Sequence, residues 1–147
     1  MKRPFLKAFI GGLTISLIPA WFVTYASRAF PNLAPEDLQV ITDFFTDASV
    51  LLQWIVFFIF VIVMPIIEEI LFRGLLWRLF NWKFSPKTTW ILVSLIFAGV
   101  HWEPLHVIGL LPLSFFIGWL RLKTNELGPS IIAHMTNNAV GCFLMMM

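Results

Sequence analysis

Charge is what this chain has least of. Of its 147 residues only 12% are charged, while 59% are hydrophobic. The mean hydropathy is +0.87. A soluble domain is about 45–50% apolar and about 25% charged. The excess excludes an ordinary soluble core and points to a polytopic membrane protein. Cysteine is nearly absent. Cys142 is the only one, which excludes an internal disulfide framework and a cysteine-cluster metal site; it reads as a small packing residue. There is no internal repeat, no low-complexity segment and no second domain, so residues 1–147 form one transmembrane domain. There is no His-Glu-x-x-His zinc helix and no well-supported Ser-His-Asp set. A net charge of +2 does not imply nucleic acid as a partner, because topology places the basic residues.

Five apolar spans are legible. They run over about Phe5 to Ala26, Val50 to Phe80, Thr88 to His101, Pro104 to Leu120 and Gly128 to Met147. An apolar layer of about 30 Å needs about 20 helical residues, so the third span is short. A polar, acidic loop is expected from Ser27 to Ser49, with Pro31 and Pro35 favouring extended chain. Ser85 before Pro86 reads as a helix cap. The expected fold class is therefore all-α, a polytopic membrane helix bundle of about five spans. All Lys and Arg except Arg28 fall on the side of the N-terminus, whereas Glu36, Asp37, Asp43, Asp47 and Glu103 fall opposite. The positive-inside rule then puts the N-terminus in the cytoplasm and the C-terminus outside. A cleaved signal peptide ending at Thr24-Tyr25-Ala26 is the rival reading of span one, disfavoured because the apolar stretch exceeds the usual h-region.

Against this background two adjacent glutamates stand out. Val50 to Ile67 holds one strongly polar side chain, Gln53, and then come Glu68 and Glu69. An ionisable group at membrane depth costs roughly 2.5 kcal/mol or more, which makes such a pair a functional hypothesis by default. Counted from the cytoplasmic helix ends, Glu68 and Glu69 lie roughly 15 Å deep, His101 roughly 20 Å, and His134 and Asn138 roughly 9–15 Å. Polar residues of three helices thus fall in one slab. Glu69 and Arg73, Phe97 and His101, and His134 and Asn138 are each four apart and share a helix face. Glu68 and Glu69 are about 100° apart on an ideal helix. The expectation is that one glutamate does chemistry while the other pairs with Arg73.

Glu68-Glu69-x-x-x-Arg73, Phe97-x-x-x-His101 and His134-x-x-x-Asn138, in that order, resemble the CPBP family. These are the CAAX proteases and bacteriocin-processing enzymes, also called Abi, and the resemblance covers a core of about residues 54–141. It implies an all-helical membrane core with endopeptidase activity, and it maps Glu68, Glu69, Arg73, His101, His134 and Asn138 onto the family's motif positions. The chemistry of the residues agrees. Glu68 suits a general base for water, and His101 would share that water or protonate the leaving group. His134 and Asn138 would donate to the oxyanion, and Arg73 would neutralise Glu69.

A zinc version is the alternative to a cofactor-free glutamate mechanism, with Glu68, His101 and His134 as two-histidine, one-carboxylate ligands. The bland readings are snorkelling of the glutamates, interhelical polar glue for His134 and Asn138, and Arg73 as a structural anchor. His106 and Glu103 are expected outside the site. Gly12-x-x-x-Ser16 and Ser114-x-x-x-Gly118 read as helix contacts. A non-catalytic binding or immunity protein that sequesters a peptide or scaffolds a partner is the second function class. A transporter is the third, disfavoured because no repeat is present. The expected partners are the lipid bilayer and a membrane-associated or lipidated peptide substrate. The expected location is a bacterial plasma membrane.

Overall fold

Five helices carry the chain in the computed structural model, which describes residues 3–29, 40, 43–44 and 47–145. They are α1 (Arg3–Ala29), α2 (Val50–Asn81), α3 (Pro86–Gly99), α4 (Pro104–Thr124) and α5 (Gly128–Met145). No strand occurs among the described residues. Most of the expected loop from Ser27 to Ser49, including Pro31, Pro35, Glu36 and Asp37, lies outside them.

The helix ends follow local chemistry. Ser85 caps α3: its Oγ accepts the Thr88 amide at 3.2 Å, and Pro86 takes a first-turn position that needs no donor. α3 stops at Gly99, and Pro104 opens α4 after a short turn. α4 ends where Asn125 adopts φ 55°, a left-handed conformation that Asn tolerates better than most residues.

Two helices, α2 and α4, are long and apolar enough among the described residues to cross a membrane. α3 has 14 residues, about 21 Å at 1.5 Å per residue. α5 has 18 residues, but His134, Asn137 and Asn138 dilute its apolar character. α2 turns much of its apolar surface outward: Leu51, Trp54, Phe58, Ile70 and Leu75 are all exposed. Such a face is natural where lipid is the solvent.

α1 packs on α4 and α5, α3 packs on α4, and the middle of α2 packs on α5. Ala8, Leu113, Ile117, Leu120 and Ala133 form the buried apolar cluster between α1, α4 and α5. Small residues set the helix separations, since lipid supplies little hydrophobic drive for association. A Cβ added at Gly12 would stand 2.8 Å from the Ala133 carbonyl oxygen and 3.0 Å from its Cα. A Cβ at Gly118 would meet the Trp90 ring at 2.6 Å and Ser94 Oγ at 2.7 Å. Both small-residue strips read from the sequence are therefore helix contacts.

Gly12→Ala should destabilise the bundle by about 1–3 kcal/mol, the usual cost of overpacking, because backbone atoms of α5 cannot swing aside. The unfolding temperature in detergent measures it. Gly141→Ala, whose Cβ would have nothing within 4 Å, should show no loss.

Candidate active site

α2 is not a uniform helix, and its departures build the site. Ile59–Val63 and Ile70–Leu76 are wider, π-helical segments between α-helical ones. Pro65 gives the reason for the first. Inside an α-helix a proline lacks an N–H and its ring presses on the carbonyl four residues back, and a widened turn relieves that pressure. The Met64 N–H therefore bonds to the Ile59 carbonyl, five residues back. The Phe60 carbonyl thereby loses its α-helical donor, Met64, and its π-helical donor would be Pro65, which has none. Asn138 of α5 supplies the missing bond: Nδ2 donates to the Phe60 carbonyl at 2.9 Å. Asn137 Nδ2 in turn donates to Asn138 Oδ1 at 3.3 Å.

The second wide segment begins just after Glu69 and contains Arg73. A π turn holds more residues than the 3.6 of an α-helix, so side chains four apart stand more nearly above one another. Arg73 Nη1 donates to Glu69 Oε1 at 3.0 Å, with both side chains 0% exposed. Arg73 Nη2 donates to the carbonyl of Ser114 at 3.1 Å and to its Oγ at 3.0 Å. Ser114 Oγ donates onward to the Ser94 carbonyl at 2.8 Å, and Ser94 Oγ returns a bond to the Ser114 carbonyl at 3.2 Å. The Arg73 guanidinium also lies over the Phe97 ring, 4.2 Å from its centroid. A buried cation is thus held by a carboxylate, two oxygens and an aromatic face.

His134 joins the two glutamates. Its Nδ1 is 3.0 Å from Glu69 Oε1 and its Nε2 is 3.5 Å from Glu68 Oε2. An ionised Glu69 can only accept, which puts the Nδ1 proton on His134. The distance to Glu68 is long for a hydrogen bond. Glu68 differs from its neighbour in access: its side chain is 23% exposed against 0% for Glu69. His101 lies in the turn after α3, where its Nδ1 stands 2.9 Å from the Phe97 carbonyl. A carbonyl can only accept, so Nδ1 is the donor and Nε2 of the neutral ring keeps its lone pair. The Phe97 ring touches both imidazoles, at centroid distances of 5.4 Å to His101 and 5.5 Å to His134.

The structure therefore gathers Glu68, Glu69, Arg73, His134 and, through Phe97, His101. Asn138 lies one turn beyond His134, on the Phe60 carbonyl. Glu69 pairs with Arg73 as expected, but the roughly 100° between adjacent residues of an ideal helix does not separate the two glutamates, because both carboxylates approach His134, one at each ring nitrogen. Three neighbours of these side chains lie outside the site set expected from sequence. Ser114 was read as a helix contact and proves to hold Arg73. Phe97 was read as sharing a face with His101 and proves to be the aromatic floor. His106, placed outside the site, packs against His101 with ring centroids 5.4 Å apart. The Phe97-x-x-x-His101 spacing was the one sequence signal for any of these.

For a metal, Glu68 and His134 approach each other as two ligands would. Among the described residues, however, no group of three His, Cys, Asp or Glu side chains converges to hold an ion. His101 is not brought into such a set, and His134 Nδ1 is committed to Glu69.

A family model described as type II CAAX prenyl endopeptidase Rce1-like matches residues 50–140. No curated protein and no solved structure matches the chain.

Arg73→Met should cost about 3–5 kcal/mol, because it leaves the Glu69 charge buried and uncompensated; thermal unfolding in detergent reads it. Asn138→Ala should cost about 1–3 kcal/mol by orphaning the Phe60 carbonyl. Adding Pro65→Ala restores an N–H in the right register, so the double variant should regain part of that loss. Strictly additive losses in this cycle would refute the account of the first wide turn.

Proposed function

Because the chain belongs to the Rce1-like family of type II CAAX prenyl endopeptidases, we propose that it hydrolyses a peptide bond of a membrane-associated, lipidated peptide through water activated by Glu68. The observation that carries this is the division between the two carboxylates. Glu69 is sealed and committed to Arg73 and His134, whereas Glu68 beside it is the partly open one.

Each group then has one task. Glu68 takes a proton from water as the water oxygen bonds to the carbonyl carbon, and the carbonyl electrons move to oxygen. The same proton passes from Glu68 to the amide nitrogen as the C–N bond breaks, leaving a carboxylic acid and an amine. His101 accepts a hydrogen bond from the water through Nε2 and so orients it. His134, held by Glu69 at Nδ1, donates to the developing oxyanion from Nε2, which requires the imidazolium form with a proton on both ring nitrogens. Asn138 has two amide hydrogens. One holds the Phe60 carbonyl and the second serves the oxyanion. Arg73 balances the Glu69 charge so that the acid beside it can remain a base. The charge pattern of the loops supports a cytoplasmic N-terminus, with the site reached from that half of the membrane.

Glu68→Gln and Glu68→Ala should each lower cleavage of lipid-anchored quenched peptides by roughly a hundredfold or more, the scale of a lost general base, with the fold intact. Equal cleavage by wild type and both variants would remove Glu68 from the reaction. Cleavage should persist after exhaustive chelation, and its disappearance, with recovery on adding zinc, would overturn the metal-free assignment.

A further inference from the structure

A groove of about 670 Å³ lies where α2 and α4 end together. That volume falls in the range of about 300–1,000 Å³ typical of small-ligand sites. Its walls are apolar, supplied by Ile70, Leu75 and the Trp77 ring, and its polar groups are Arg78, Asn81 and Arg121. No acidic side chain lines it. Topology alone asks only for basic residues near this boundary, as the exposed Lys83 and Lys87 provide. It does not ask for two guanidinium groups facing one cavity.

The two arginines are differently committed. Arg78 is exposed, with no ion pair or hydrogen bond among the described residues. Arg121 uses Nε to donate to the Arg73 carbonyl at 3.1 Å and Nη1 to donate to Asn125 Oδ1 at 2.7 Å. Its guanidinium carbon stands 5.8 Å from the Trp77 ring centroid. Nη2 and the whole of Arg78 thus remain to meet an anion. Trp82, 80% exposed at the rim, is of the type that settles at the headgroup level. Cations above, apolar walls below and an indole at the rim match an amphiphile with an anionic head. The fork geometry of arginine suits phosphate in particular.

We propose that this groove binds the headgroup phosphate of an anionic phospholipid. The position gives such binding a route to the acid pair. Arg121 holds the backbone of Arg73, whose side chain holds Glu69, so an occupied groove fixes Arg121 and stiffens that segment of α2.

The test is retention of phosphatidylglycerol by the purified protein in detergent, read by native mass spectrometry. Phosphatidylcholine is the neutral comparison, Lys83→Gln the control for charge outside the groove, and inorganic phosphate the competitor. Wild type and Lys83→Gln should hold phosphatidylglycerol alike and prefer it to phosphatidylcholine. Arg78→Gln should hold it roughly tenfold more weakly, the scale of one lost charge-assisted contact, and Arg78→Lys should fall between. Asn81→Asp keeps both arginines but sets a carboxylate in the groove, and it should lose the lipid too, which covers the case of an Arg78 variant that does not fold. Equal retention by wild type, Arg78→Gln and Asn81→Asp overturns the site. Equal loss in Lys83→Gln reduces it to general positive charge, and efficient displacement by inorganic phosphate removes the lipid from it.

Discussion

The ion pair between Glu69 and Arg73 is the constraint around which the bundle is arranged. Two charges stripped of water each cost several kcal/mol, and their attraction offsets this only when the remaining polar atoms find partners. Four elements contribute to that end, although Glu69 Oε2 and Arg73 Nε are left without a hydrogen-bond partner among the described residues. α2 brings the pair into register through its wide turn, α4 offers Ser114, α3 offers the Phe97 face, and α5 offers His134. The same contacts that make the pair tolerable fix the helices relative to one another. A site whose stabilisation is spread over four helices cannot be loosened at one of them alone.

The arrangement also sorts two chemically identical neighbours into different jobs. Glu68 and Glu69 share a backbone and a histidine, yet one is enclosed and one is open. Nothing but position distinguishes them. The enclosed carboxylate holds the imidazole at Nδ1, and the other stays partly accessible. Asn138 belongs to the same logic. It mends the backbone where Pro65 breaks it, and in doing so ties the α5 segment that carries His134 to the α2 segment that leads to the glutamates.

Much of this was legible in the residues and some was not. The helical class, the five apolar segments and the cap at Ser85 follow from composition and turn chemistry. The Glu69–Arg73 pair follows from spacing four within an apolar run. The partners of Arg73 on α4 did not, because a serine among small residues looks the same whether it packs or accepts a bond. The partner of Asn138 could not be read at all, being a backbone carbonyl exposed by a change of helical register. An ideal 100° per residue sent the two glutamates apart, whereas flexible side chains on a non-ideal helix bring both to one ring. The polarity that makes α5 a weak membrane span is the polarity the site requires.

One consequence of spacing concerns how such a protein is made. Glu69 and Arg73 lie on the same helix, four residues apart, while Ser114 and His134 lie 41 and 65 residues downstream of their respective partners. A helix leaving the ribosome can pair these two charges within itself before the later helices exist. It meets the lipid as a dipole of no net charge rather than as two separate ions. The Glu69–Arg73 pair thus eases its own entry into the bilayer, though not that of the Glu68 charge beside it, and its partners on α4 and α5 arrive afterwards.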